Sequence, residues 1–320
     1  MPAYRIITNP VSGRGNGARA EAIIDRAFGR AGVAYELTET RAPHDATRLA
    51  REAIQRGFDV IVAVGGDGTV HEVVNGLLQA ARERPDWESG APAGTLGVVP
   101  LGTGNDFAWY LGLPEHDPEA ACRLVLADHR RVIDVGQITD EHNRTWVFDN
   151  NLGAGFDAAT TVESYKIRNL RGFPLYLLAV LRTIPKYSRA PEVVVHYNGK
   201  TLARPMLMVS AANGRRTGGG FMIAPDAVLD DGLLELTLAG SPNIPTILRL
   251  LPHFIRGTHK TQTRHVTVDR TAHLVLEAPT GVPVHLDGEI IRTDARRLEV
   301  SILPRRLRVI TAPLDAKSAR

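Results

Sequence analysis

Apolar and polar positions follow two different rhythms along this chain. Up to about residue 131, short apolar runs alternate with segments whose apolar residues recur every three or four positions. Tyr4–Thr8, Val33–Leu37, Val60–Val64 and Thr95–Pro100 are the short runs and predict buried strands. Between them lie three helical patterns. The first carries Ala20, Ile23, Ile24, Ala27 and Phe28 and stops at Gly32; the second carries Leu49, Ala50, Ala53 and Ile54, with Asp45 as its cap; the third carries Val70, Val73, Val74, Leu77 and Leu78. Ala80–Gly94 is polar and proline-containing, hence a loop, and Asp117-Pro118 opens a last helix that runs through Asp128. Strands alternating with helices at this spacing imply βαβ units and a parallel sheet.

From Asp134 onward the rhythm becomes mostly that of strands. Candidates are Val147–Asn150, Glu192–Asn198, Met206–Ala211, Leu233–Leu238, Val266–Val268, His273–Glu277, Pro283–Leu286, Leu298–Leu303 and Leu307–Thr311. Leu234, Leu236 and Leu238 alternate with Glu235 and Thr237, as in a half-buried antiparallel strand. The expected architecture is an α/β domain with a parallel sheet over residues 1–133, followed by an all-β sandwich over 134–320. One helix, bracketed by Pro174 and Pro185, is expected among the early strands of the second domain. It lies in a basic segment, Val162–Tyr187, that carries Lys166, Arg168, Arg171, Arg182 and Lys186.

Composition narrows the function classes. The 320 residues are 43% hydrophobic and 23% charged, with a net charge of +3 and a pI near 9.1. That balance is too weakly basic to indicate nucleic acid, and suits phosphorylated ligands or an anionic membrane surface. A single cysteine, Cys122, excludes an internal disulfide and a multi-cysteine zinc site. The N-terminus lacks signal-peptide features, and Phe173–Leu181 is too short to span a bilayer, so a cytoplasmic protein able to touch a membrane is expected.

Three loops carry candidate chemistry. Val60–Val64 runs into Gly65-Gly66-Asp67-Gly68-Thr69 and at once into a helix. Glycines there let the backbone approach a ligand, and free N–H groups at a helix start favour an anion such as phosphate. Asp67 would be awkward beside a bare phosphate unless a divalent cation lay between them. The stretches Asn9–Gly17 and Leu101–Ala108 repeat the design of strand, glycine turn and helix start. All three loops fall at the carboxyl ends of predicted parallel strands, where such sheets bind ligands.

Four motifs together resemble the diacylglycerol kinase catalytic-domain family, in particular its soluble bacterial lipid-kinase branch. They are NPVSG at Asn9–Gly13, GGDGTVHEVVNGL at Gly65–Leu77, PLGTGNDFA at Pro100–Ala108 and LDGE at Leu286–Glu289. Asn151–Ala158 (NLGAGFDA) and Gly218–Leu236 fit the same branch, so the resemblance covers nearly the whole chain in order. GGDGT also occurs in NAD kinases, but NPVSG and PLGTGNDFA separate the two families.

The resemblance implies an N-terminal α/β domain, a C-terminal β-sandwich, an active site in the cleft between them, and a final strand near 305–313 that returns to the first domain. It implies transfer of the γ-phosphoryl group of ATP, with Mg2+, to a lipid hydroxyl, most simply that of diacylglycerol. Sphingoid or other lipid alcohols, an NAD-kinase-like reaction and a nucleotide-binding regulator are the competing readings. By resemblance, Asn9, Ser12, Gly13, Thr40, Gly65, Gly66, Asp67, Gly68, Thr69, Val70, His71, Glu72 and Thr103 bind the nucleotide. Glu289 matches the family's general base, with Asp67 the other carboxylate that could take the proton. Asp231, with carbonyls of Val228 and Leu233, matches a second, structural Mg2+ site, although Asp230-Asp231-Gly232 also reads as a simple β-turn. Asp287 could hold a metal or the turn itself, and Asn105 and Asp106 read either as cleft residues or as helix caps. The expected partners are a lipid, the membrane surface against 162–187, and a second copy across an exposed sandwich edge.

Overall fold

A computed structural model of the chain describes residues 3–167, 169–187 and 190–313. Contacts divide it into two units, Met1–Ile133 together with Pro304–Arg320, and Asp134–Leu303.

The first unit contains β1 (Tyr4–Thr8), α1 (Ser12–Gly15), α2 (Ala20–Arg30), β2 (Tyr35–Glu39), α3 (Asp45–Gln55), β3 (Val60–Gly65), α4 (Asp67–Arg82), β4 (Thr95–Pro100), α5 (Asp106–Tyr110) and α6 (Pro118–Ala127). Strand β1 pairs in parallel with β2 on one side and β3 on the other, and β3 pairs in parallel with β4. Every residue of β3 and β4 is buried, which is why both read as unbroken apolar runs. On one side of the sheet Ile24 and Phe28 of α2 and Cys122 and Val125 of α6 pack with Tyr4, Ile6, Val62 and Val64. Cys122 is a core residue there, and burial pushes its thiol pKa up to about 12, so it is inert.

Several local features depart from the sequence pattern. The stretch after β1 winds into α1 and a 3-10 turn, Asn16–Arg19, instead of remaining an open loop. The second strand begins two residues later than its apolar run. Asp45 does not cap α3: the cap position belongs to His44, and the orphan N–H groups of His44 and Ala46 donate to Glu72 Oε1 and Oε2 at 2.9 and 3.1 Å. A carboxylate from a neighbouring helix has replaced the local cap.

The second unit is built on antiparallel strands, but it is not all-β. Its elements are β5 (Arg130–Asp140), which enters from the first unit, β6 (Thr145–Phe148), β7 (Asn151–Gly155), α7 (Phe156–Ser164), α8 (Gly172–Thr183), β8 (Glu192–Tyr197), β9 (Lys200–Ala212), β10 (Leu234–Gly240), α9 (Ile244–Arg256), β11 (Val266–Thr271), β12 (His273–Leu286) and β13 (Glu289–Ile310). Strand β9 joins β7, β8 and β10, and β12 joins β7, β8 and β13, all antiparallel. Between them lies one apolar core, with Phe148, Leu152, Val195, Leu236, Leu276, Val284 and Leu298 in it. Helices α7 and α9 correspond to no element named from the sequence pattern. Asn243 caps α9 through the Thr246 N–H, and Ile247 and Leu250 bury one face, while Pro252 sits inside the helix and masks its pattern. Pro174 likewise falls within the first turn of α8 and does not precede it. Strands β12 and β13 are longer than their apolar runs. Bulges carry β12 through Pro279 and Pro283, and β13 passes Arg305 at a φ of 57° before residues 308 and 309 pair in parallel with Thr95 and Leu96 of β4.

Candidate active site

Three glycine loops meet at the carboxyl ends of β1, β3 and β4 in the first unit. Asn9 ties the first to the second, its Nδ2 donating to Thr69 Oγ1 at 3.1 Å, while its Oδ1 accepts from the Val11 N–H. Ser12 Oγ donates to the Asn9 carbonyl at 2.8 Å and closes the turn that Gly13, at φ 55°, opens. The second and third loops pack backbone to backbone. A Cβ on Gly66 would lie 3.0 Å from Gly102 Cα, and one on Gly102 would lie 2.4 Å from Gly66 Cα, so both positions need glycine. Leu101 N–H donates to the Gly65 carbonyl at 2.7 Å, and Asn105, at φ 54°, folds back so that its Oδ1 accepts from Gly102 N–H.

That packing brings two carboxylates together. Oxygens of Asp67 and Asp106 lie 2.8 and 3.2 Å from the point where a Cβ of Gly104 would stand. Asp67 opens α4, and its Oδ1 also accepts from the Phe107 N–H at 3.3 Å. Asp106 is 5% exposed. Two acids brought together beside a helix N-terminus form a donor set suited to a hard divalent cation. Asp106 was legible in PLGTGNDFA only as one of two possible cleft residues. Thr40 follows β2, where its N–H donates to the Thr8 carbonyl, and Thr103 lies in the third loop. Gly68, Val70 and His71 lie in the first turns of α4, and Val70 and His71 are buried. Glu72, as described, has its carboxylate engaged on α3.

The second unit holds the other predicted groups. Asp287 and Gly288 form the two-residue turn between β12 and β13, with φ of 51° and 87° and Leu286 paired to Glu289. Both positive φ values mark the tight hairpin for which Asp-Gly is suited. The Asp287 carboxylate accepts N–H groups of Asp149, Asn150 and Asn151 at 3.2, 3.0 and 2.9 Å, so it ties the hairpin to the connection between β6 and β7. Glu289 follows immediately and is exposed. Elsewhere, Asp231 accepts from the Leu233 N–H at 3.0 Å and pairs with Arg270 at 2.9 Å. Asp134 Oδ2 accepts from the Gly232 N–H at 2.7 Å and holds the same turn. In the basic segment, Lys166 and Lys186 both pair with Glu163, at 3.2 and 2.6 Å. Arg168 lies outside the described residues.

Comparison with known proteins agrees with these two halves. The model of the diacylglycerol kinase catalytic domain matches residues 3–138, and that of the YegS C-terminal NAD kinase beta sandwich-like domain matches 150–311. A diacylglycerol kinase of Bacillus subtilis is 33% identical over 290 residues, 90% of each chain. A diacylglycerol kinase of Mycobacterium tuberculosis is 30% identical over 305 residues, 95% of this chain and 93% of that one. Among solved structures, a diacylglycerol kinase from Bacillus anthracis superposes with a TM-score of 0.70 at 23% identity, covering 98% and 97% of the two chains. Yeast NADH kinase shares the fold more distantly, with a TM-score of 0.52 at 11% identity, covering 98% of this chain and 85% of that one. The class is therefore that of kinases, phosphotransferases whose acceptor is an alcohol. Within that class the chain belongs to the diacylglycerol kinase family, alongside the YegS-like lipid kinases. No helix among the described residues is long and apolar enough to cross a membrane.

Proposed function

We propose that this protein is an ATP- and Mg2+-dependent lipid kinase that transfers the γ-phosphoryl group to the free hydroxyl of diacylglycerol, giving phosphatidic acid. The observation that carries the reading is the convergence of three glycine loops, the second and third of which bring the carboxylates of Asp67 and Asp106 together against Gly104. Loops without side chains in the way can bring N–H groups close to phosphate oxygens, and the start of α4 adds the positive end of its dipole.

The donor set fits Mg2+: the carboxylates of Asp67 and Asp106 both pack against Gly104 and so lie close enough to each other to share one hard cation. When bound there, Mg2+ would offset the negative charge of the phosphates during transfer. Asp67 and Asp106 would hold it, with Thr40, Thr103 and the backbone of residues 65–69 shaping the nucleotide site. A second ion at Asp231, with the carbonyls of Val228 and Leu233, would have to compete with the Arg270 guanidinium for the carboxylate.

Glu289 takes the proton of the acceptor hydroxyl as that oxygen bonds to the γ-phosphorus and the bond to the departing ADP oxygen breaks. A primary alcohol is not ionised at neutral pH, so a carboxylate that accepts its proton during transfer lowers the barrier. Donor-side groups thus belong to the first unit and the acceptor-side base to the second. The segment 162–187, with Arg171 and the exposed Leu181 on it, would rest on the membrane surface.

The test is transfer of label from γ-labelled ATP into an organic-extractable product, with and without EDTA, across diacylglycerol, a sphingoid base, ceramide and a polyprenol, with NAD as a water-soluble acceptor. Metal-dependent labelling of diacylglycerol above the others is expected. Labelling of NAD alone, or of no lipid, would overturn the reading.

A further inference from the structure

The turn that presents Glu289 is held at both backbone polar groups of one residue, Gly288. Gly288 N–H donates to His285 Nδ1 at 3.2 Å, and the Gly288 carbonyl accepts from the Tyr165 hydroxyl at 2.8 Å. His285 is 1% exposed, an imidazole placed in the buried run Val284-His285-Leu286. Because its Nδ1 accepts, its proton sits on Nε2, which lies 3.1 Å from Asp157 Oδ2 but off the line of a hydrogen bond to it. Room for the pair is made by Gly153, where a Cβ would stand 2.3 Å from both His285 Nε2 and Asp157 Oδ2. The NLGAGFDA stretch therefore supplies both the carboxylate and the space for the imidazole.

From this arrangement we infer that Asp157, His285 and Tyr165 are positioning residues for the general base. Asp157 stands against the Nε2 side of His285, and His285 and Tyr165 hold the two peptide groups that flank the Gly288 Cα, the second of which leads directly into Glu289. A base carried on a tight turn of two positive-φ residues depends on such support, because a displacement of about 1 Å at a reacting group can lower turnover roughly 100-fold. Asp157→Asn is informative for the same reason. An amide at 157 could donate to Nε2, which would shift the imidazole proton to Nδ1 and set it against the Gly288 N–H.

The inference rests on Glu289 as base, and the experiment separates the two. Steady-state kinetics with ATP and dioleoylglycerol in mixed micelles would compare His285→Ala, His285→Asn, Asp157→Asn, Tyr165→Phe and Glu289→Gln. His285→Ala and Asp157→Asn are expected to lower kcat roughly 10- to 100-fold with the KM for ATP within about twofold. His285→Asn keeps an acceptor for the Gly288 N–H and should recover most of the loss. Tyr165→Phe, on a residue 58% exposed and safe for folding, should lower kcat several-fold, roughly as loss of one hydrogen bond implies. Unchanged kcat in His285→Ala and Tyr165→Phe beside an inactive Glu289→Gln would overturn the positioning role alone. Equal impairment of His285→Asn and His285→Ala would do the same. Full activity of Glu289→Gln would remove the base assignment and this inference with it.

Discussion

Replacing Glu235 by glutamine should change how the stability of the second unit depends on pH. Glu235 lies on β10 between β9 and β11, is 1% exposed, and its carboxylate oxygens have no well-formed hydrogen bond among the described residues. Burial first, and then the charge of Asp226, push its pKa up from 4.5 to about 7. The folded state therefore holds this proton more tightly than the unfolded chain. Its stabilisation is complete below pH 4.5 and is lost as pH rises through about 7. At roughly 1.4 kcal/mol per pH unit, the ionised carboxylate costs about 3 kcal/mol at pH 8.

His259 acts with the opposite sign. It is fully buried, stacked on Phe254, and burial lowers its pKa from 6.5 to about 4. Its contribution is present above pH 6.5 and is lost as pH falls towards 4. Between pH 4.5 and 6.5 the two groups offset each other in the native chain. Glu235→Gln should expose the rising limb set by His259 and gain about 3 kcal/mol relative to the parent between pH 4.5 and 8. Urea unfolding followed through Trp146, with Trp87 and Trp109 replaced by phenylalanine, measures this in the second unit. Other titrating groups cancel in the comparison of the two proteins. A difference that stays constant from pH 4.5 to 8 would refute the argument.

Three further outcomes follow from the geometry. Glu72→Ala removes both acceptors from the start of α3 and should lower stability by about 1–2 kcal/mol in urea unfolding; no change would mean that the His44 and Ala46 N–H groups find other partners. Gly104→Ala puts a methyl group 2.8 Å from Asp67 and 3.2 Å from Asp106 and forces the carboxylates apart, so Mg2+-dependent turnover should fall by about 100-fold; a fully active variant would show that this pair does not hold the metal. Reversing Arg171 and Lys186 to glutamate should weaken binding to anionic vesicles at low salt, and unchanged sedimentation with the vesicles would refute membrane contact by 162–187.

The loops of the first unit were legible because their chemistry is local. Gly65–Thr69 and Leu101–Ala108 each carry strand, turn and helix start within a dozen residues, and their glycines are required by backbone approach that the spacing already implies. Sequence could not tell that Glu72 would turn away to cap α3, since the N–H groups it satisfies are 26 and 28 positions earlier. The His285–Asp157 pair spans 128 positions and shows in the sequence only as a histidine inside an apolar run. Helix α9 was hidden by Pro245 and Pro252, which resemble loop punctuation; its amphipathic face emerges only once Ile247 and Leu250 have a surface to cover. Asp231 gives the converse lesson. Its turn was foreseen, but the partner that satisfies it, Arg270, comes from another strand.

The central claim is that Glu289 takes the proton from the lipid hydroxyl while Asp67 serves the nucleotide side. Its most direct test is transfer from γ-labelled ATP to dioleoylglycerol by Glu289→Gln and Asp67→Asn, with nucleotide affinity measured separately. The account predicts that Glu289→Gln loses at least about 100-fold in kcat with its affinity for Mg2+-ATP unchanged, whereas Asp67→Asn loses both. Turnover by Glu289→Gln at the parent rate would contradict it.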